Sequence, residues 1–261
     1  MRARAAARFA ALLTLTTAMT AHAQTQHVPP DPPQSAPVHM SYGKMAELMQ
    51  MDDKARHGRV MLNQAEWRDA DTGEAYGLQG QASYGSDYNK LYIKTEADRM
   101  NGVTERANAE LLWDRVVARW WSLQTGMRHD FGVGPSREWL AVGVAGIAPQ
   151  WFQVEATLYA GDAGRTALRV RTDYEMLLTQ RLVLQPEVEA NLYGKEDRER
   201  GIGSGLSQLE LGMRLRYEIK REFAPYVGVE WTRKFGGTAD LSHEHDGSSE
   251  VSAVAGLRIW F

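Results

Sequence analysis

The chain contains no cysteine, which excludes a disulfide framework, thiolate metal sites and cysteine nucleophiles together. It also lacks any apolar run of the roughly 18 residues that a membrane-crossing helix requires, and its mean hydropathy is −0.44. Neither absence excludes a membrane β-barrel, because strands that alternate apolar and polar residues average to a polar hydropathy. A basic excess is missing as well. Arg2, Arg4 and Arg8 precede the apolar run Phe9–Met19 and the small-residue site Ala21-His22-Ala23, the pattern of a cleaved export signal. Cleavage after Ala23 removes three of the 30 basic residues and none of the 33 acidic ones, taking the formal net charge from −3 to −6. That balance argues against nucleic acid as a partner.

The expected organisation is a signal peptide over 1–23, a disordered tether over 24–57 and a β domain over 58–261. Pro29, Pro30, Pro32, Pro33 and Pro37 favour an extended, polyproline-like tether. After it, Met45 and Met49 are four apart and can share a helix face with Leu48. One reading is a short amphipathic helix packed on a barrel mouth. Another is a soft-ligand segment, because His39, Met40, Met45, Met49, Met51 and His57 crowd together with His27 and Met61.

From Val60 onward the chain reads as strand after strand, with period-two alternation. In the last segment Val251, Ala253, Ala255, Leu257, Ile259 and Phe261 share one face, opposite Ser252, Val254, Gly256, Arg258 and Trp260. Leu91, Ile93, Thr95 and Ala97 likewise oppose Lys90, Tyr92, Lys94 and Glu96, and Asn101-Gly102 supplies the next hairpin turn. Approximate spans of 60–68, 75–84, 89–98, 103–114, 120–131, 138–147, 151–160, 165–177, 182–193, 206–219, 224–235 and 250–261 give about twelve strands. An even count returns both ends to the periplasm, with short turns there and long loops outside. Trp120, Trp121, Trp139, Trp151, Trp231 and Trp260 fall near strand ends, where interfacial aromatics belong. The polar faces carry both signs, including Glu110, Glu155, Glu187, Glu189, Glu210, Glu218, Arg169, Arg171, Arg214 and Arg216. Inside a barrel these must pair across strands. The expected fold is all-β, an antiparallel transmembrane outer-membrane β-barrel with a Pro/Met/His-containing amino-terminal tether. An edge strand in a soluble sandwich is the competing reading of the final segment.

The blocks Tyr88-Asn-Lys-Leu-Tyr-Ile-Lys94, Gln124-Thr-Gly-Met-Arg128, Trp151-Phe-Gln-Val-Glu-Ala-Thr157, Gly161-Asp-Ala-Gly-Arg-Thr-Ala167, Gly201-Ile-Gly-Ser-Gly-Leu-Ser207 and Arg221-Glu-Phe-Ala-Pro-Tyr-Val-Gly228 resemble the copper resistance protein B family. With shorter matching blocks between them they cover nearly all of about residues 55 to 261. The resemblance implies a Gram-negative outer-membrane barrel active in copper tolerance, encoded with periplasmic copper oxidases and carriers, and implies no catalytic residue. Family members often carry a longer amino-terminal region with repeated Asp-His-Ser-x-Met-like motifs. Here His39-Met40 and the scattered Met45, Met49 and Met51 stand in that region.

Thioethers suit Cu(I) and imidazoles suit Cu(II). The candidate metal residues are therefore His39, Met40, Met45, Met49, Met51 and His57 in the tether, with His243 and His245 of the His243-Glu-His-Asp246 run in the last outer loop. That run is equally readable as a solvated polar loop. His129-Asp130 reads as an interfacial pair, and neither a protease nor a phospholipase constellation can be assembled around it. The expected function is copper binding, export or sequestration at the outer membrane, with lipid and periplasmic copper oxidases or carriers as partners. A structural barrel or narrow diffusion pore is the alternative, since twelve strands lie between a side-chain-filled lumen and an open channel.

Overall fold

A computed structural model describes residues 41, 44–45, 55–70, 73–241 and 248–261. In the amino-terminal unit Lys44 and Met45 are helical, and the Met45 N–H donates to the Ser41 carbonyl at 3.0 Å. The second unit, Asp52–Phe261, is built from strands.

In chain order these are β1 His57–Ala70, β2 Gly73–Gly85, β3 Asn89–Met100, β4 Val103–Ala118, β5 Trp121–Gly132, β6 Arg137–Ile147, β7 Gln153–Gly161, β8 Thr166–Asp173, β9 Met176–Leu177, β10 Leu182–Tyr193, β11 Gly205–Tyr217, β12 Phe223–Lys234 and β13 Ser249–Trp260. Each pairs antiparallel with its neighbours, and β13 returns to β1. The barrel is therefore closed and has twelve staves, because β9 continues β8. Closure leaves no sheet edge to be covered. It runs down the full seam, from Asp69 opposite Ala253 to Met61 opposite Trp260. Beyond it Phe261 and Val60 exchange backbone hydrogen bonds of 2.8 and 3.1 Å. A soluble sandwich is thus excluded.

The span 165–177, expected as one strand, is interrupted at Tyr174 and Glu175. Pro186 of β10 lies opposite the break: its carbonyl accepts from the Tyr174 N–H at 3.1 Å, but it has no N–H to return. The Asn101-Gly102 turn forms as expected, with φ of 48° and 84°, both positive as the tightest hairpin turn requires. Connections at the end carrying both barrel termini are short. The connections 194–204 and 235–248, the second containing the helix α1 Gly236–Leu241, lie at the opposite end.

Alternation sorts the side chains. In β6, Arg137, Trp139 and Ala141 are buried while Glu138, Leu140 and Val142 are exposed. The outward wall is apolar between the two rims, with Leu91, Ile93, Leu111, Trp113, Met127, Leu158, Val227 and Val251 all exposed, as a lipid-facing surface requires. Trp139 departs from expectation. It is not interfacial but faces the lumen, where its indole N–H donates to Asp130 at 2.8 Å and its ring occupies the space left by Gly161. Parity with Arg137 and Ala141 dictates that direction.

Candidate functional site: an ion-pair lattice across the lumen

Inward positions on facing staves bring carboxylates and guanidiniums together in connected groups. Nearest the long loops, Arg106 of β4 reaches the diametrically opposed β11, bonding Gln208 at 2.9 Å and Glu210 at 3.3 Å, and it also holds Asp98 of β3 at 3.2 Å. Below it Arg169 and Arg171 of β8 both bridge to Glu96 of β3, at 2.9 and 2.6 Å, and Arg171 also binds Glu189.

Arg214 of β11 is the most heavily shared. It holds Glu66 at 2.8 and 3.2 Å, Glu187 at 3.2 Å and Glu230 at 2.6 Å. Arg68 reinforces the same acids, at 2.7 Å to Glu66 and 3.6 Å to Glu230. Tyr226 adds a hydroxyl donor to Glu66 at 3.1 Å.

Toward the short-turn end, Lys94 joins Glu155 at 2.6 Å and Gln124 at 3.2 Å, while Arg216 and Arg258 share Glu175 at 3.1 and 2.7 Å. Isolated buried charges would be costly. Connected ones, with most donors and acceptors used, fix a single arrangement.

Glycines make room for this lattice. A Cβ on Gly212 would lie 2.3 Å from an Arg214 guanidinium nitrogen, and one on Gly256 would lie 2.5 Å from the Tyr226 hydroxyl. Glycine inside these strands therefore marks close approach. On the side away from the short turns the lattice floors a cavity of about 510 Å³, which reaches Met100, Glu105, Glu199 and Leu241 near the long loops. The facing staves are joined across the lumen through the lattice.

The connection 194–204 is strapped to the barrel rim. Asp197 accepts from Arg137 at 2.8 and 3.2 Å and lies 3.3 Å from Arg165. The Arg137 hydrogen bonds hold its carboxyl below the ordinary aspartate range. Thr238 of α1 ties the two long connections together by accepting from the Gly203 N–H at 2.8 Å and sharing a 2.8 Å hydrogen bond with Ser207.

Of the eight candidate metal residues, Met45 and His57 are among the described residues. Met45 is exposed in the amino-terminal unit. His57, assigned by sequence to the tether, opens β1 opposite Gly85. His39, Met40, Met49, Met51, His243 and His245 lie outside the described residues, as does the signal sequence with its cleavage site. His129 faces outward beside Phe131, ring centroids 6.0 Å apart. Met61 is not part of the tether: it is buried at the lumen wall, its sulfur 3.8 Å from both Gln81 and Arg258 nitrogens. Among the described residues no group of three or more His, Asp or Glu side chains is placed to hold a metal ion.

Sequence reading singled out Arg169, Arg171, Arg214, Glu96, Glu187, Glu189 and Glu210, all of which belong to the lattice, and missed Glu66, Arg68, Asp98, Arg106 and Glu230. Extending the two-residue parity from Glu96 to Asp98, and from Glu110 back to Arg106, would have found two of these.

Comparison with known proteins agrees with this architecture. A NanC porin structure superposes with a TM-score of 0.52 at 14% identity, covering 78% of this chain and 99% of that one, which bears on the fold alone. The copper resistance protein B of Escherichia coli is 43% identical over 210 residues, 80% of this chain and 71% of that protein. A copper resistance protein B homolog of Pseudomonas syringae pv. tomato is 45% identical over 213 residues, 81% and 72% respectively. The family model described as "Copper resistance protein B precursor (CopB)" matches residues 56–261, the whole barrel, and the chain belongs to that family.

Proposed function

We propose that this protein supports copper resistance by binding copper at the outer membrane through methionine and histidine side chains outside the lumen lattice. The barrel acts as an ion-pair-locked anchor. One observation carries the reading: the central lumen carboxylates that could meet a cation are already engaged by arginines, Glu66, Glu187 and Glu230 by Arg214, and Glu96 and Glu189 by Arg171. A copper ion entering there would have to displace buried guanidiniums from their partners, at several kcal/mol each.

The soft ligands Met40, Met45, Met49 and Met51, with His39 and His57, suit Cu(I) delivered by a periplasmic carrier or oxidase. His243 and His245 suit Cu(II). The role is one of binding and hand-over, and no step of catalysis is assigned.

Copper stoichiometry and survival on copper would be compared for the mature chain, a chain lacking 24–53, and H243A/H245A. Loss in the second places binding in the tether, and loss only in the third places it in the outer loop. Equal binding and protection in all three would overturn the proposal.

A further inference from the structure

Arginines at the short-turn rim differ from those of the lumen. Every arginine of the lattice has a carboxylate partner. Arg115, near the end of β4, and Arg119, on the turn that follows, are both exposed, and neither has a carboxylate partner among the described residues. Residues 115–123 and 147–153 contain those two arginines and no acidic residue, and the 86–88 turn beside Arg115 carries one acid, Asp87, which forms no ion pair with it.

Aromatic side chains stand beside Arg119. The Arg119 guanidinium lies 5.5 Å from the Trp120 ring centroid, and Trp120 meets Trp151 edge to face at 6.1 Å. Both tryptophans are well exposed, at 50% and 68%. Trp151 is held there by an unusual backbone. Gln150 and Trp151 both have positive φ, 62° and 69°, a conformation that costs free energy in residues other than glycine and persists where surrounding structure enforces it. The enforcing contacts are visible: the Ala148 N–H donates to Phe152 at 2.8 Å, and the Ile147 N–H donates to the Trp120 carbonyl at 3.0 Å. The second bond ties the two turns to each other.

The depth is that of a headgroup region. Arg115 follows the outward-facing Trp113 by two residues on the same face, about 7 Å farther along the strand. The apolar wall continues to Val117 and Leu123 and then gives way to the tryptophans. An amphipathic ring at the water boundary with an unpaired guanidinium beside it matches the glycerol and phosphate levels of a lipid leaflet.

We propose that Arg115, Arg119, Trp120 and Trp151 form a binding site for an anionic phospholipid. The guanidiniums meet the headgroup phosphate and the two indoles flank the glycerol. Charge sets the headgroup preference, and the aromatic pair sets overall lipid affinity.

Native mass spectrometry of the detergent-purified mature protein, titrated with phosphatidylglycerol or phosphatidylcholine of identical acyl chains, tests this. The wild type binds phosphatidylglycerol more tightly, and R115Q/R119Q brings the affinity ratio close to one, at about five-fold per arginine. W120A/W151A weakens both lipids and leaves their ratio in place. R99Q/R233Q, at the opposite rim, leaves the ratio unchanged. Raising ionic strength on the wild type reduces the preference independently of any substitution. The proposal is overturned by a wild type without preference, by a preference that survives R115Q/R119Q or resists salt, or by one that R99Q/R233Q abolishes.

Discussion

Replacing Arg214 with methionine removes the cation shared by Glu66, Glu187 and Glu230 while nearly preserving side-chain volume. Breaking a buried ion pair from one side costs about 3–5 kcal/mol, because the partner is left charged and unpaired. Here the abandoned acids keep secondary donors: Glu66 retains Arg68 at 2.7 Å and Tyr226 at 3.1 Å, and Glu187 retains Gln64 at 3.2 Å. The loss should therefore lie at the low end, about 3 kcal/mol. With a urea slope of about 2–3 kcal/mol per M, the midpoint in detergent should fall by roughly 1 M or a little more. R214K should recover only part of this, since an ammonium keeps the charge but not the fork that meets Glu66 with two nitrogens. E66Q/R214M should be less unstable than the two single losses summed, because the stranded charge is gone. An R214M midpoint equal to that of the wild type would refute the lattice as a source of stability.

The depressed carboxyl of Asp197 contributes stability that is present above the ordinary aspartate pKa and is lost as pH falls through its lowered folded value. Protease cleavage within 194–204 should therefore rise in acid, and D197N should show that susceptibility at neutral pH, at a cost of about 1.5–3 kcal/mol for its charged hydrogen bonds. Gly256→Ala should lower the unfolding midpoint more than Gly58→Ala. The first methyl meets Tyr226 at 2.5 Å and the Ala65 carbonyl at 2.7 Å, whereas the second makes only an ordinary contact with the Tyr84 ring at 3.7 Å. Deleting Phe261 should reduce assembly yield, measured by heat-modifiable gel migration, more than Arg258→Gln does. The deletion takes both backbone bonds to Val60 from the closing seam, and equal effects would count against that view.

Strand identity and the inside-outside sorting were legible because a barrel wall repeats one period and each stave has one lipid face. The closing role of residues 250–261 followed from the same alternation. The lattice was only half legible. In β1 the register slips after Leu62, so Met61 and then Gln64, Glu66 and Arg68 all turn inward. Strict alternation would have put either the methionine or the charges outside. Pro186 concealed the break opposite it for a related reason: an absent N–H shows its effect on the neighbouring strand and not on its own. Trp139 was misplaced because nearness to a strand end was given more weight than parity with Arg137 and Ala141. Pairings such as Arg106 with Glu210, 104 residues apart, depend on barrel circumference and shear, which no local pattern encodes.

Closure of the lumen by its own ion pairs is tested most directly by single-channel recording of the purified mature protein in planar bilayers. Lattice bonds joining β4 to β11 and β3 to β8 should leave the wild type without stable ohmic steps, while R106A/R169A/R171A, which removes the three guanidiniums that make those bonds, should conduct. Steady conductance of the wild type, comparable with that of the triple variant, would contradict a locked barrel and return copper's route to the lumen.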